Sequence, residues 1–279
     1  MILKWAGGKR WLIKKIISSL PSNFNNYIEP FLGGGSFFYH LPNKKSGYLS
    51  DINLNLINFY KDLKKNPESL YRKARKLVCE HDNFEGGSEQ HVEFYNKQKE
   101  QFNKDPSSAL FLYLNKLCFN GIYRENSKGE FNVPIGKPIS TWNYNIQDFR
   151  EWSEMLKRFS IKAEDFRHTL DKAKKGDFIY LDPPYIDRVN AGNKTFRGYN
   201  KEEFDISDLQ KMSEIAVELN PKCKIIISNF NEYHATKFFK KSDGWVKTPL
   251  MKKYSISGKA KGVYKFKEIL ISNFPVTLD

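Results

Sequence analysis

Short apolar runs alternate with stretches of helical spacing along most of this chain. Tyr27-Ile28-Glu29, Gly47-Tyr48-Leu49-Ser50-Asp51, Asp177-Phe178-Ile179-Tyr180-Leu181, Cys223-Lys224-Ile225-Ile226-Ile227-Ser228-Asn229 and Lys267-Glu268-Ile269-Leu270-Ile271-Ser272-Asn273 are brief, apolar and bounded by polar or turn residues, as buried strands are. Residues 160–163 suggest one more. Helical periodicity runs over residues 9–20, which end at Pro21, from Asn53 onward, and over 145–158, 165–174, 206–219 and 231–240. Strands alternating with helices in this way predict an α/β fold on a doubly wound, mostly parallel sheet.

The rhythm changes between residues 56 and 144. Charged helical segments dominate, with a polar loop at 81–90, and the region ends in LYLNKLCFNGIYRENSKGEFNVPIGK, rich in Asn, Gly and aromatic residues. It reads as an inserted, mainly helical domain, with residues 1–55 and 145–279 forming the α/β core.

Charge adds a partner. Lys and Arg number 46 against 32 acids, a formal net charge of +14, which points to a polyanion and above all to nucleic acid. Cys79, Cys118 and Cys223 are scattered and odd in number, so neither a disulfide framework nor a zinc site is suggested and a reducing cytoplasm is expected. The five histidines form no metal-ligand pattern, and no metal is expected. The start, MILKWAGGK, lacks the apolar run of a signal peptide, and no stretch has the length and apolarity of a membrane span.

The strand ends carry the candidate chemistry. Gly33-Gly34-Gly35, before Ser36, lets backbone approach a ligand where the first strand hands over to a helix. Asp51 closes the next strand, where a carboxylate can accept both ribose hydroxyls of a nucleoside cofactor. Neither G-x-G-x-x-G nor a P-loop is present. Glu29, Phe31, Trp5 and Lys9 instead offer acids, ring faces and a lysine, a set that suits the sulfonium, ammonium and carboxylate of S-adenosylmethionine.

Asp182-Pro183-Pro184-Tyr185 ends a later strand. The prolines cannot extend a ladder and fix φ, so their carbonyls project in set directions. The Asp182 carboxylate and a proline carbonyl make two aligned acceptors for an exocyclic amine. Held by both, its nitrogen is drawn toward tetrahedral geometry, and Tyr185 offers a face on which an extruded base stacks. Alone, the tetrapeptide reads first as a strand terminator with an incidental acid.

In order, LKWAGGK (3–9), EPFLGGGS (29–36), SDIN (50–53), FNGIYRENSKGEFNVPIG (119–136) and DPPY (182–185) resemble the motifs of the Dam-type, D12-class, alpha-group DNA N6-adenine methyltransferases. The resemblance covers nearly the whole chain. It implies a Rossmann-like class I methyltransferase core, with S-adenosylmethionine as cofactor, and an insertion that recognises the target through a β-hairpin. Trp5, Lys9, Asp51 and Asp182 match positions that bind the cofactor, with Glu29, Phe31, Gly33, Gly35 and Ser36 lining the same site; Asp182 also serves the target amine, beside Pro183, Pro184 and Tyr185. Lys4 matches a residue that reaches a base edge. Phe119, Asn120 and Arg124 match residues that wedge into or read the site, Asn126 joins them, and Pro134 matches a position beside the outer base pair. Phe119 stands where many relatives carry tyrosine, so a hydroxyl contact is lost while stacking survives.

These roles have plainer alternatives. Arg124 can pair bidentately with guanine or form a surface salt bridge, Asn120-Gly121 can simply make a tight turn, and Phe119 can be core. Phe196 and Tyr199 either close over a flipped base or tether a lid. Lys252, Lys253, Ser255 and Ser257 either contact phosphates or form a solvated turn. The reading as a whole is a monomeric, cytoplasmic enzyme acting on adenine N6 in double-stranded DNA, within GATC as in relatives with similar hairpins. N4-cytosine or RNA-directed methylation, and a non-catalytic DNA-binding protein on the same scaffold, are the alternatives.

Overall fold

A computed structural model describes residues 1–137, 142–184, 204–230, 232–255 and 263–278. Among them, seven strands form one sheet: β1 (Tyr27–Glu29), β2 (Gly47–Asp51), β3 (Phe159–Ala163), β4 (Phe178–Leu181), β5 (Lys224–Phe230), β6 (Val246–Ser255) and β7 (Val263–Ser272). Their order is β3-β2-β1-β4-β5-β7-β6, parallel from β3 to β5 and antiparallel at β7 and β6. The chain winds one way from β1 to β3 and the other way from β4, so the switch point lies between β1 and β4. In open α/β sheets that crevice is where ligands bind.

Alternation along the central strands explains the two layers. Tyr27, Phe178, Tyr180 and Ile226 enter one buried cluster, while Ile28, Ile179, Leu181, Ile225 and Ile227 enter another on the opposite face. Helices cover both faces: α1 (Arg10–Ile16), α2 (Ser36–His40) and α3 (Leu54–Lys65), then α4 (Pro67–His81), α5 (Glu89–Lys104), α6 (Ser108–Leu117), α7 (Ile146–Leu156), α8 (Phe166–Leu170), α9 (Ile206–Leu219) and α10 (Glu232–Phe238). Caps set several starts. Asn53 accepts from the Leu56 N–H at 2.9 Å, and Asn145 with Asp148 and Asp205 with Asp208 form capping boxes.

The α/β expectation is met, with differences at the edges. The helix predicted over 9–20 ends at Ile16 and tightens into a 3-10 turn, and that over 165–174 is only Phe166–Leu170. The last strand begins at Val263 rather than Lys267, and β6 was not foreseen. It carries Pro249 and a charged Lys252-Lys253 pair, which argue against a central strand. β6 is the edge strand, where a missing N–H costs no ladder bond. Lys252, Lys253 and Ser255 therefore lie on a strand and not in the solvated turn that was their alternative reading. α3 crosses the expected boundary at residue 55 and packs on β2 and β3 as well as on α6.

Candidate active site

Three acids stand at the carboxyl ends of neighbouring strands: Glu29 ends β1, Asp51 ends β2 and Asp182 follows β4. Strand register, not side-chain attraction, brings them to one edge, because parallel strands in register end together.

The glycine turn follows Glu29. Gly33 and Gly35 have φ of +48° and +63°, a region that side chains adopt only at a cost. The Asp51 carboxylate shapes this turn, taking the Gly33 N–H at 2.9 Å on one oxygen and the Asn53 N–H at 3.0 Å on the other. Tyr60 donates its hydroxyl to the Gly33 carbonyl at 3.0 Å. Trp5 lies across Gly33 and Gly34, and its ring stacks on Tyr123 at 5.8 Å between centroids. Phe31 packs on Phe166 and Phe204 beside the same edge, while Ser36 opens α2. Burial raises the Asp51 carboxyl, opposed by its backbone N–H donors.

Glu29 is deeply buried, and Tyr27 donates its hydroxyl to Glu29 Oε2 at 2.7 Å. Burial pushes its carboxyl well above the usual range, against the Tyr27 hydrogen bond and with the nearby Asp182 charge adding to the rise.

Asp182 lies at the switch point, half-buried, and is followed by a buried Pro183 and an exposed Pro184. Ser228, on β5, donates its hydroxyl to Asp182 Oδ1 at 2.7 Å, and Tyr180 meets Ser228 at 2.9 Å from behind. Lys9 Nζ stands 3.9 Å from Asp182 Oδ1 and 3.2 Å from Glu268 Oε2 on β7. Burial lifts the Asp182 carboxyl from the ordinary 3.8 to about 6; Lys9 and Ser228 oppose the rise and Glu268 adds to it.

A second region joins the edge through residues 4–9. Asn115 of α6 grips the backbone of Lys4, accepting its N–H at 2.9 Å and donating to its carbonyl at 2.7 Å. Lys4 Nζ donates to the Lys116 carbonyl at 3.0 Å. After α6, Asn120 and Gly121 both take positive φ, and the Ile122 N–H closes the turn on the Phe119 carbonyl at 3.2 Å. The tight-turn expectation is met here, although this turn does not join the hairpin arms. Phe119 pairs with Pro134 and Asn132 with Arg124 through backbone bonds, and the arms meet at Asn126–Glu130. Asn126 holds that turn, accepting from the N–H groups of Lys128 and Glu130. Phe119 is 49% exposed and so is not core. Arg124 donates its Nε to Asn132 Oδ1 at 2.8 Å, a contact that leaves the ends of its fork unbound by that residue. Pro134 is exposed on the same ladder.

Trp5, Glu29, Phe31, Gly33, Gly35, Asp51 and Asp182 thus gather along one edge with Lys9, and Lys4 is tied to the hairpin. Tyr185, Phe196, Tyr199 and Ser257 lie outside the described residues, and Lys253 and Ser255 are placed by backbone alone. Sequence reasoning overlooked Ser228, Tyr180, Asn115 and Glu268. Glu268 did leave a signal: a lone acid at an inward position of an apolar strand is seldom buried without a partner. Among the described residues no three His, Cys, Asp or Glu side chains are placed to hold a metal, and no helix is long and apolar enough to cross a membrane.

Residues 5–252 match the family model described as D12 class N6 adenine-specific DNA methyltransferase. The chain is 33% identical to a type II methyltransferase of Methanocaldococcus jannaschii over 98% of each protein. It is 33% identical to a DNA adenine methylase of Haemophilus influenzae, over 96% of this chain and 91% of that protein. It is 34% identical to a DNA adenine methylase of Serratia marcescens, over 81% of this chain and 82% of that protein. Nothing in these likenesses supports the N4-cytosine, RNA-directed or non-catalytic readings.

Proposed function

This chain belongs to the D12 class of N6 adenine-specific DNA methyltransferases, and from that premise we propose that it methylates a flipped adenine within GATC in double-stranded DNA, with S-adenosylmethionine as donor. The observation that carries the reading is Asp182 beside Pro183 at the switch point, with Ser228 holding one carboxylate oxygen at 2.7 Å.

The residues present fit the donor. Asp51, Asp182 and Glu268 surround the edge with one buried ammonium, Lys9, among them in the described residues, so the site favours a cationic ligand. The glycine turn forms a cradle that side chains would fill. Trp5, Lys9, Glu29, Phe31, Gly33, Gly35, Ser36 and Asp51 would hold the donor, with Asp51 at the ribose. When bound, it supplies an electrophilic methyl group.

The chain's own part is positioning and electrostatics. Asp182 and the Pro183 carbonyl accept the two N6 hydrogens and turn the nitrogen lone pair out of conjugation. Ser228 fixes the carboxylate that does this. With its pKa near 6, Asp182 is an anionic acceptor at neutral pH and takes up the amine's proton readily once that proton becomes acidic. Tyr185 stacks on the extruded base.

Residues 56–144 act in this reading as the target-recognition domain, and 1–55 with 145–279 as the catalytic core. Lys4, Phe119, Asn120, Arg124, Asn126 and Pro134 meet the site, while Phe196, Tyr199, Lys253 and Ser255 complete the grip on base and phosphates. The net charge of +14 supports salt-sensitive DNA binding. The likeness of the hairpin supports GATC; the protein acts as a cytoplasmic monomer. Long-read sequencing of DNA treated with the protein and S-adenosylmethionine tests this, with N6-methyladenine expected in GATC. Methylation at another motif would overturn the site, and calorimetry that detects no binding of S-adenosylmethionine would overturn the donor.

A further inference from the structure

Lys9 is nearly as buried as a core leucine, at 3% exposure, and it stands between two carboxylates. The nearer one is not the catalytic candidate. Glu268 takes a hydrogen bond from its ammonium at 3.2 Å, whereas Asp182 lies at 3.9 Å, beyond hydrogen-bond reach. Glu268 is itself 5% exposed, on an antiparallel strand that enters the sheet beyond β5. A buried acid there costs free energy unless its charge does something.

The other groups around Asp182 come from each neighbouring strand. Ser228 on β5 donates to it, Tyr180 on β4 backs Ser228, and Glu29 on β1 is held by Tyr27. Lys9, just before α1, is a cation of this set, and Glu268 on β7 is its nearer anion of the two.

We propose that Glu268 is a positioning residue for methyl transfer: it holds the Lys9 ammonium off Asp182, so that the Asp182 carboxylate keeps the orientation Ser228 gives it and its affinity for the target amine's proton. The proposal rests on the reading of Asp182 as the acceptor of that amine. Without the Glu268 charge, the buried ammonium closes on Asp182, the other carboxylate within 4 Å of it among the described residues. It then competes with Ser228 for Asp182 Oδ1, turns the carboxylate out of place and makes it harder to protonate.

Glu268→Gln keeps the shape and removes the charge. Single-turnover methylation of a GATC duplex at saturating S-adenosylmethionine should slow about tenfold or more. In the free protein, with no donor, carboxyl-labelled aspartate followed by NMR should show Asp182 titrating at lower pH than in the wild type. Adding Lys9→Met to Glu268→Gln removes the closing ammonium and should raise the Asp182 titration above that of Glu268→Gln alone, a reading taken in the donor-free protein and so independent of the part Lys9 plays in holding the donor. Glu268→Asp retains the charge and should keep the Asp182 titration near its wild-type position; it carries the test if the glutamine variant fails to fold. An unchanged rate and titration in Glu268→Gln, a double variant whose Asp182 titration stays as low as that of Glu268→Gln, or a Glu268→Asp titration that falls with that of the glutamine variant would each overturn the proposal. Asp182→Asn separates the two readings. If it remains active, the role of Asp182 itself fails; if it is inactive while Glu268→Gln is normal, only the role of Glu268 fails.

Discussion

The indole of Trp5 lies so close over Gly33 that a Cβ at Gly33 would stand 2.9 Å from Trp5 Cδ1 and 3.0 Å from Nε1. Gly33 also has φ of +48°, presents its N–H to Asp51 and its carbonyl to Tyr60. Any side chain there displaces the ring, strains the turn and loosens Asp51 together. Gly33→Ala should cost roughly 1–2 kcal/mol of stability and weaken S-adenosylmethionine binding at least about tenfold by calorimetry. Non-specific DNA affinity should not change. Equal donor affinity in the variant would show that the turn does not shape the site.

Asp182→Asn should abolish methyl transfer and leave DNA binding intact in a gel-shift titration. It should also stabilise the protein above pH 6. Burial lifts the Asp182 carboxyl from the ordinary 3.8 to about 6, so between those values the folded state binds more protons than the unfolded chain. Stability therefore falls as pH rises from about 4 to 6, and the deficit persists above. The asparagine variant lacks this loss. Urea denaturation should show it more stable by about 1–3 kcal/mol at pH 7, with the advantage shrinking toward zero at pH 4. An advantage that grew on acidification would reverse the sign and refute the burial argument.

Arg124 is braced by Asn132, which accepts its Nε at 2.8 Å. A braced fork loses little freedom when it meets a guanine edge. Arg124→Ala should relax discrimination at one base pair by roughly 1–3 kcal/mol, read as methylation rates on duplexes altered one position at a time. Asn132→Ala should produce a smaller loss at that same position. A uniform loss on every duplex would make Arg124 a phosphate contact.

The sheet was legible because β1, β2, β4 and β5 are buried on both faces and read as plain apolar runs. The acids at their ends were legible for the same reason: Glu29, Asp51 and Asp182 interrupt those runs. β6 was hidden by Pro249 and its lysines, residues that an edge strand tolerates and a periodicity search penalises. The Lys9–Glu268 pair was not legible at all, because 259 positions separate its members and only the fold brings them together. The same holds for Asn115 and Lys4, 111 positions apart, joined by an asparagine that sequence alone reads as one polar residue in an apolar helix.

That asparagine makes the last prediction. Asn115 is 2% exposed and satisfies both backbone groups of Lys4, in the manner of a neighbouring strand. Gly121 closes the same contact from the hairpin side, since a Cβ there would lie 2.5 Å from Lys4 Cβ. Five residues after Lys4 comes Lys9, and Trp5 lies between them, so the base of the hairpin and the donor site share one short stretch of backbone. Asn115→Leu keeps the volume but leaves the partly buried N–H and carbonyl of Lys4 unpaired, each worth up to about 1–3 kcal/mol. The variant should lose roughly 2–4 kcal/mol of stability, and exchange of the Lys4 amide with deuterium should accelerate. Because Trp5 and Lys9 move with Lys4, donor affinity should fall even though Asn115 stands in the hairpin's supporting helix. Lost stability with unchanged Lys4 exchange and donor affinity would mean that Asn115 supports its own helix only, and that the two regions are not mechanically joined through residues 4–9.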